Sequence, residues 1–305
     1  MKEHCCRKLL SIVLCAVMLF ASYPMVFDAA APADSELVYG VYYKIDGDHA
    51  VVTGCSDTAT EITVRSKYNN YPVTQIADSA FKNKTSLKKV TIANSVTNIG
   101  NSAFYGCSGL TSITIPDRVT SIGDYTFDGC CGLTSITIPD SVTSIGKAAF
   151  LYCSNLSSIT IPDRVTSIGE YAFYGCTGLT SITIPDSVTS IGDRAFRNCT
   201  GLTSVTIPDS VTSIGSSAFE SCENVSYFSA PMRFLTKDFL SQFSQSLTVK
   251  IADGCKTIEK NAFSGRTGIK NIIIPDSVTS IGDYAFYGCA GLTSIMIPDS
   301  VTSIG

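Results

Sequence analysis

The stretch Leu110-Thr-Ser-Ile-Thr-Ile-Pro-Asp-Arg-Val-Thr-Ser-Ile-Gly-Asp-Tyr-Thr-Phe-Asp-Gly-Cys130 returns, with small changes, from Leu133, Leu156, Leu179, Leu202, Ile269 and Leu292. Successive regular copies are 23 residues apart. A period of this size marks a solenoid, in which each coil covers the apolar face of its neighbour. Within the stretch, Ser112-Ile-Thr-Ile115 alternates polar and apolar, which predicts a strand with Ile113 and Ile115 inward. Pro116-Asp117 ends it, because Pro lacks the ladder donor and Asp suits a turn. Val119 and Ile122 bracket a polar pair, which predicts a second short extended segment. Gly123 permits a turn, and Asp124 is expected to cap a short helix or 3-10 turn from Tyr125 to Cys130 that buries Phe127 and Cys130. Corresponding residues should stack into columns ~4.8 Å apart.

Outward from this stretch, the coils start at Leu87, Leu110, Leu133, Leu156, Leu179 and Leu202, then again at Ser246, Ile269 and Leu292. Between them, residues 225–245 form a degenerate turn. Leu235, Phe239 and Phe243 recur there every fourth residue, which predicts a longer helix. Residues 34–80 depart from the repeat and are expected to form an N-terminal cap. Asp46-Gly47-Asp48-His49 between Leu37–Ile45 and Ala50–Thr53 reads as a β-hairpin. Ile62-Thr-Val64 reads as the strand of a first turn, followed by a loop from Ser66 to Pro72. Residues 81–305 make the solenoid. Its last turn stops at Ile304-Gly305, before a Phe, and is expected to belong to a longer chain. The predicted fold class is thus an α/β-type repeat solenoid, mainly β, with a hairpin cap.

Residues 1–33 have the three parts of an export signal peptide. Lys2, Arg7 and Lys8 precede an apolar run from Leu9 to Phe20, and Ala29-Ala30-Ala31-Pro32-Ala33 supplies small residues. The run is too short for a membrane span, so no membrane insertion of the mature chain is expected. The 305 residues carry a net charge of −4, with 16% charged side chains. With no basic stripe, no nucleic-acid partner is expected. The mature chain has one His, His49, and a Cys-His pair would need it beside a thiol such as Cys55. No catalytic set, metal site or cofactor is expected.

The pattern Leu110-x-x-Ile113-x-Ile115 followed by a second apolar segment resembles a leucine-rich repeat. The longer pattern Ile-Pro-x-x-Val-x-x-Ile-Gly-x-x-Ala-Phe-x-x-Cys-x-x-Leu is similar to the BspA-like variant of that family. Tyr171-Ala-Phe-Tyr-Gly-Cys176 and Tyr284-Ala-Phe-Tyr-Gly-Cys289 carry the likeness most closely, and it spans about residues 60–305. The resemblance implies a bacterial secreted or cell-surface protein engaged in adhesion, with an extracellular protein or glycan, such as a host surface or matrix component, as partner. The alternative is a structural spacer or stalk presenting another domain.

Two faces could bind. The outward strand positions carry Ser112, Thr114, Thr137, Thr160, Thr183 and Thr206, an array that also suits a merely solvated strand. The positions that vary between near-identical coils, which stacking does not dictate, include Tyr125, Tyr171, Tyr174, Arg194, Arg197, Tyr284 and Tyr287. Tyr and Arg are enriched at interfaces. The thiols Cys107, Cys130, Cys153, Cys176, Cys199, Cys222 and Cys289 hold one repeat position and are expected to pack as small hydrophobes. Cys131 is out of register, and is expected to be exposed and the most reactive thiol. The Asp column from Asp117 to Asp299 is expected to form turns.

Overall fold

The computed structural model describes residues 35–243 and 246–305; the expected export signal lies outside the described residues. The N-terminal strands are β1 (Glu36–Val38), β2 (Val41–Asp46), β3 (His49–Cys55), β4 (Glu61–Val64), β5 (Lys67–Tyr68) and β6 (Tyr71–Ile76). β2 and β3 pair antiparallel, with Asp46 opposite His49, as the Asp-Gly turn predicts. The run Leu37–Ile45 is not one strand. Tyr39 and Gly40 both have positive φ, 48° and 81°, which gives a tight turn of the kind that matches strand twist, and Val38 pairs with Val41. Likewise the expected loop Ser66–Pro72 is a second hairpin: Asn69 and Asn70 take left-handed conformations, and Tyr68 pairs with Tyr71. Asn tolerates such angles without glycine, which is why the turn was not obvious from the sequence. His49 and Cys55 stand at opposite ends of β3 and form no pair.

β4 and β6 are the points where the repeat begins. Ile62 pairs with Val90 and Ile76 with Ile99, both in parallel register. From there each coil contributes two short strands. The second strand, two residues long, forms one continuous parallel sheet over five coils, pairing Ser121 with Ser144, then Ser167, Ser190 and Ser213. The first strand is less regular. Ser135–Thr137 pairs with Ser158–Thr160, but the next copy, Ser181–Thr183, is not a strand. Thr180 N–H lies 3.4 Å from the Ser157 carbonyl, against 2.9 Å for Thr111 N–H and Lys88, and that coil is tied to its neighbours by its second strand, Ser190–Ile191, and by its turn amides.

The third side of each coil corrects the sequence-based expectation. Tyr125–Cys130 is neither α nor 3-10 helix but a run of hydrogen-bonded turns. Tyr125 and Gly129 are left-handed, with φ of 57° and 72°. That alternation points three N–H groups across the coil boundary: Tyr125 donates to the Lys147 carbonyl, Phe127 to Ala149 and Gly129 to Leu151. Within the coil, Asp128 and Cys130 donate to the carbonyls three residues back. A helix would spend all these groups internally; the turns divide them between coils. Asp124 therefore caps its neighbour, not itself: its Oδ1 accepts from Lys147 N–H at 2.7 Å. Asp78, Asn101 and Asp193 repeat the contact.

The columns fill the interior. Phe81, Phe104, Phe127, Phe150, Phe173, Phe196 and Phe219 are fully buried, and the rings from Phe104 to Phe219 stack at 5.2–5.4 Å, inclined by no more than 13°. Each ladder thiol donates to the carbonyl of the Phe one coil before: Cys130 to Phe104, Cys153 to Phe127, Cys176 to Phe150, all at 3.2 Å. The Cys is thus a small apolar filler with one polar contact. Gly169 sits where a Cβ would meet the Gly146 carbonyl group at 2.5 Å, so the column Gly146–Gly169–Gly192 keeps the main chains close.

The degenerate turn holds a 3-10 turn, Met232–Phe234, and a one-turn helix, Lys237–Leu240, shorter than the four-residue spacing predicts. Leu235 and Phe243 nevertheless point inward. Phe228, Phe239 and Phe243 pack on Phe219 at 6.1–6.4 Å between ring centres and end the stack. Gln242 Oε1 accepts from Phe219 N–H at 3.1 Å, in place of the carbonyl that a regular coil supplies. Among the described residues, no helix is long and apolar enough to cross a membrane.

Phe150 is sandwiched between two rings. Phe286 meets Phe263 on one side, at 5.7 Å, and is only partly buried. Phe150→Ala is expected to lose about 3–5 kcal/mol in urea denaturation, the cost of a large core cavity, and Phe286→Ala clearly less. Equal losses would contradict unequal support within the stack.

Candidate functional site

The turns that carry the coil-to-coil bonds also display the variable residues. In each coil two positions four apart are left-handed. The first column runs Ser102, Tyr125, Ala148, Tyr171, Arg194, Ser217, and the second Gly106, Gly129, Tyr152, Gly175, Asn198, Ser221. Left-handed backbone is uncommon for residues with a Cβ, yet four bulky side chains occupy it between Tyr125 and Arg194. Because the main-chain amides there are committed to the next coil, these side chains project from a fixed framework.

They border a cleft of about 540 Å³ lined by Tyr125, Lys147, Ala148, Leu151, Tyr152, Tyr171, Tyr174, Arg194 and Arg197. It crosses four consecutive coils. Tyr152 and Tyr174 meet edge to face at 5.4 Å between ring centres, and Tyr171 and Tyr174 tilt together at 5.8 Å. The Arg194 guanidinium lies 5.5 Å from the centre of the Tyr171 ring and donates to the Tyr171 hydroxyl at 2.6 Å. Asn198 donates to the Tyr174 hydroxyl at 3.2 Å. Lys147 pairs with Glu170 at 2.8 Å, and Arg197 with Glu220 at 3.0 Å. The Glu170 carboxylate raises the Lys147 pKa by hydrogen bonding and charge. Arg194 has no carboxylate within salt-bridge distance among the described residues, and Arg197 Nε is buried without an acceptor.

Of the residues singled out on the turn face, Tyr125, Tyr171, Tyr174, Arg194 and Arg197 are brought together. Tyr284 and Tyr287 are not: they form a separate exposed edge-to-face pair at 5.9 Å. The strand-face residues Ser112, Thr114, Thr137, Thr160, Thr183 and Thr206 are all exposed, and none of them borders the cleft. Lys147, Ala148 and Tyr152 were not anticipated. The signal was present in the columns, because Lys147 interrupts the Asn101–Asp124 capping series and Tyr152 interrupts Gly106–Gly129–Gly175.

Burial settles the reading of the ladder thiols. Cys107 to Cys222 of the ladder are buried, and loss of hydration pushes the Cys107 and Cys222 pKa values up to about 12. Cys131, expected to be exposed, is 7% accessible. Cys255 and Cys289 are partly exposed. Among the described residues, no three His, Cys, Asp or Glu side chains converge as a metal site would need.

These coils are those of a known family. The family profile described as BspA type leucine rich repeat region matches in six copies, over residues 74–180, 143–248 and 237–305. The chain belongs to the BspA-type leucine-rich repeat family. Among solved structures it is similar to a leucine rich cell surface protein from Faecalibacterium prausnitzii, at 29% identity and a TM-score of 0.59, over 91% of this chain and 86% of that one. It is also similar to the Treponema pallidum leucine rich repeat protein, at 30% identity and a TM-score of 0.59, over 62% of this chain and 90% of that one. No curated protein matches.

Two outcomes follow from burial. Iodoacetamide on the native protein is expected to modify Cys255 and Cys289, and to reach Cys107 through Cys222 of the ladder only after unfolding; peptide mapping reads this directly. Asp128, buried beside the cleft column, has its pKa raised from 3.8 to about 7 by lost hydration. Between these values the unfolded chain holds less proton on this residue than the folded one, so its contribution to stability falls as pH rises from about 4 to 7. Asp128→Asn should remove that fall, melting like the parent at pH 4 and higher than it above pH 7.

Proposed function

We propose that this chain is a secreted or cell-surface protein that mediates adhesion by binding an extracellular protein or glycan through its extended surface. The observation that carries the reading is the cleft on the turn face. Stacking requires nothing of Tyr152, Tyr171, Tyr174, Arg194 and Arg197, yet they assemble into one aromatic and cationic patch on adjoining coils. Tyr and Arg are the residue types that dominate binding energy at interfaces. The cell-surface description of the Faecalibacterium relative supports the same location.

The turn face is favoured over the strand face as the principal binding surface. The strand-face hydroxyls stand in ordinary parallel register, Thr91 beside Thr114 and Thr137 beside Thr160. Two neighbouring hydroxyl columns already have structural work: in one Thr111 Oγ1 donates to the Lys88 carbonyl at 3.1 Å, and in the other Thr143 Oγ1 donates to the Thr120 carbonyl at 3.2 Å.

The test is capture of extracellular-matrix proteins and glycans by the purified protein and by the double variant Arg194→Glu, Arg197→Glu. Both residues are half-buried and Arg197 pairs with Glu220, so the melting temperature is measured alongside, and the folded double variant is expected to bind about tenfold or more weakly. Unchanged capture by the double variant would rule out the turn face.

A further inference from the structure

We infer that the cleft is a subsite for an acidic sugar, a short oligosaccharide bearing carboxylate or sulfate groups. The inference rests on the turn face being a binding surface and adds the chemistry of what it takes.

The charges point to an anion. Lys147 and Arg197 already have carboxylate partners, but Arg194 does not. One of its N–H groups is spent on the Tyr171 hydroxyl; a guanidinium has five donors in a planar fork that matches a carboxylate or sulfate. The Tyr171 contact holds that fork in place before a ligand arrives, which lowers the ordering cost of binding. Arg197, held by Glu220, lines the same cleft and adds a second guanidinium to it.

The rings point to a sugar. Tyr152, Tyr171 and Tyr174 are turned to one another at steep angles, 84° and 56°, so they do not close into a flat stack. The C–H face of a pyranose packs against such a ring, while the Tyr171 and Tyr174 hydroxyls, which accept from Arg194 and Asn198, keep their own O–H to donate to a sugar hydroxyl. The dimensions agree. Four coils at ~4.8 Å spacing span ~15 Å, the length of a short oligosaccharide. A cleft of about 540 Å³ lies within the range of small-ligand sites, whereas a protein partner needs roughly 800 Å² on each side.

The arrangement is also maintained at a cost. Tyr152 holds φ at 57° in a column otherwise filled by Gly, Asn and Ser, and strained backbone tends to persist where a site uses it. Tyr152, Arg194 and Arg197 each depart from what the other coils carry at their positions, and they combine with Tyr171 and Tyr174, which recur as Tyr284 and Tyr287, in this one cleft.

Isothermal titration calorimetry of the purified protein with three tetrasaccharides tests the inference: tetragalacturonic acid for carboxylate, a heparin tetrasaccharide for sulfate, and neutral cellotetraose. At least one acidic sugar should bind, more weakly as salt rises, and cellotetraose should not. Which acid binds distinguishes the two anions. Arg194→Ala should weaken binding by about tenfold or more; the backbone tolerates it, because Ala148 occupies the same left-handed position. Arg194→Lys should restore only part, since Lys lacks the fork. Arg164→Ala, exposed on a Pro-Asp turn, should change nothing. Equal binding of cellotetraose, acidic-sugar binding that survives Arg194→Ala, or no binding of any tetrasaccharide would overturn the inference. So would an acidic peptide, poly-glutamate, that binds through Arg194 when the sugars do not. If matrix proteins are still captured in a manner lost with the double charge reversal, the turn face stands as a binding surface and only the sugar assignment falls.

Discussion

Every coil depends on main-chain bonds that it cannot complete by itself. Phe127 illustrates the constraint. Its N–H goes forward to Ala149, its carbonyl accepts Cys130 N–H within the coil, and the same carbonyl receives the Cys153 thiol from the next. Its ring is covered by Phe104 and Phe150. Burial of a main-chain polar group without a partner is costly, and a Phe face without a neighbour forfeits its burial. A single coil would suffer both losses. Stability is therefore a property of adjacent coils, and it accumulates along the chain.

That constraint divides the residues into two kinds. Those in the columns are nearly invariant from coil to coil, because each must fit the one before and the one after. Those whose side chains leave the framework are released from it, and variation there is informative. The cleft is made of such residues. Its backbone is held by the same N–H bonds that stack the coils, with Tyr152 donating to the Tyr174 carbonyl and Gly175 to Arg197. A rigid backbone presenting adjustable side chains suits recognition of an extended ligand.

The degenerate coil shows how much the rule can bend. Residues 225–245 are too few to rebuild the turn ladder, so Gln242 lends a side-chain oxygen to Phe219 N–H, and Arg233 donates to the carbonyls of Asp209 and Val211 at 2.6 Å. Phenylalanines from outside the column cover the end of the stack. The Phe column starts afresh at Phe263 and Phe286. The interruption leaves the parallel pairing of the first strands intact, Phe228 beside Val205 and Val249, but the sheet of second strands stops at Ser213–Ile214 and begins again at Thr257–Ile258.

The sequence alone determined the period, the inward columns, the parallel register and the break after Leu202, because stacking demands like residues at like positions and so writes itself into the chain. It also marked Tyr171, Tyr174, Arg194 and Arg197 as unconstrained. Three things only the tertiary structure decided. Tyr125–Cys130 forms turns and not a helix, since its amides are claimed by the following coil and a single coil's sequence cannot display that claim. Asp124 caps Lys147 across the boundary for the same reason. Finally, the cleft exists because residues 23 or more positions apart become neighbours, and whether Tyr284 or Tyr174 joins Arg194 depends on which coils lie side by side.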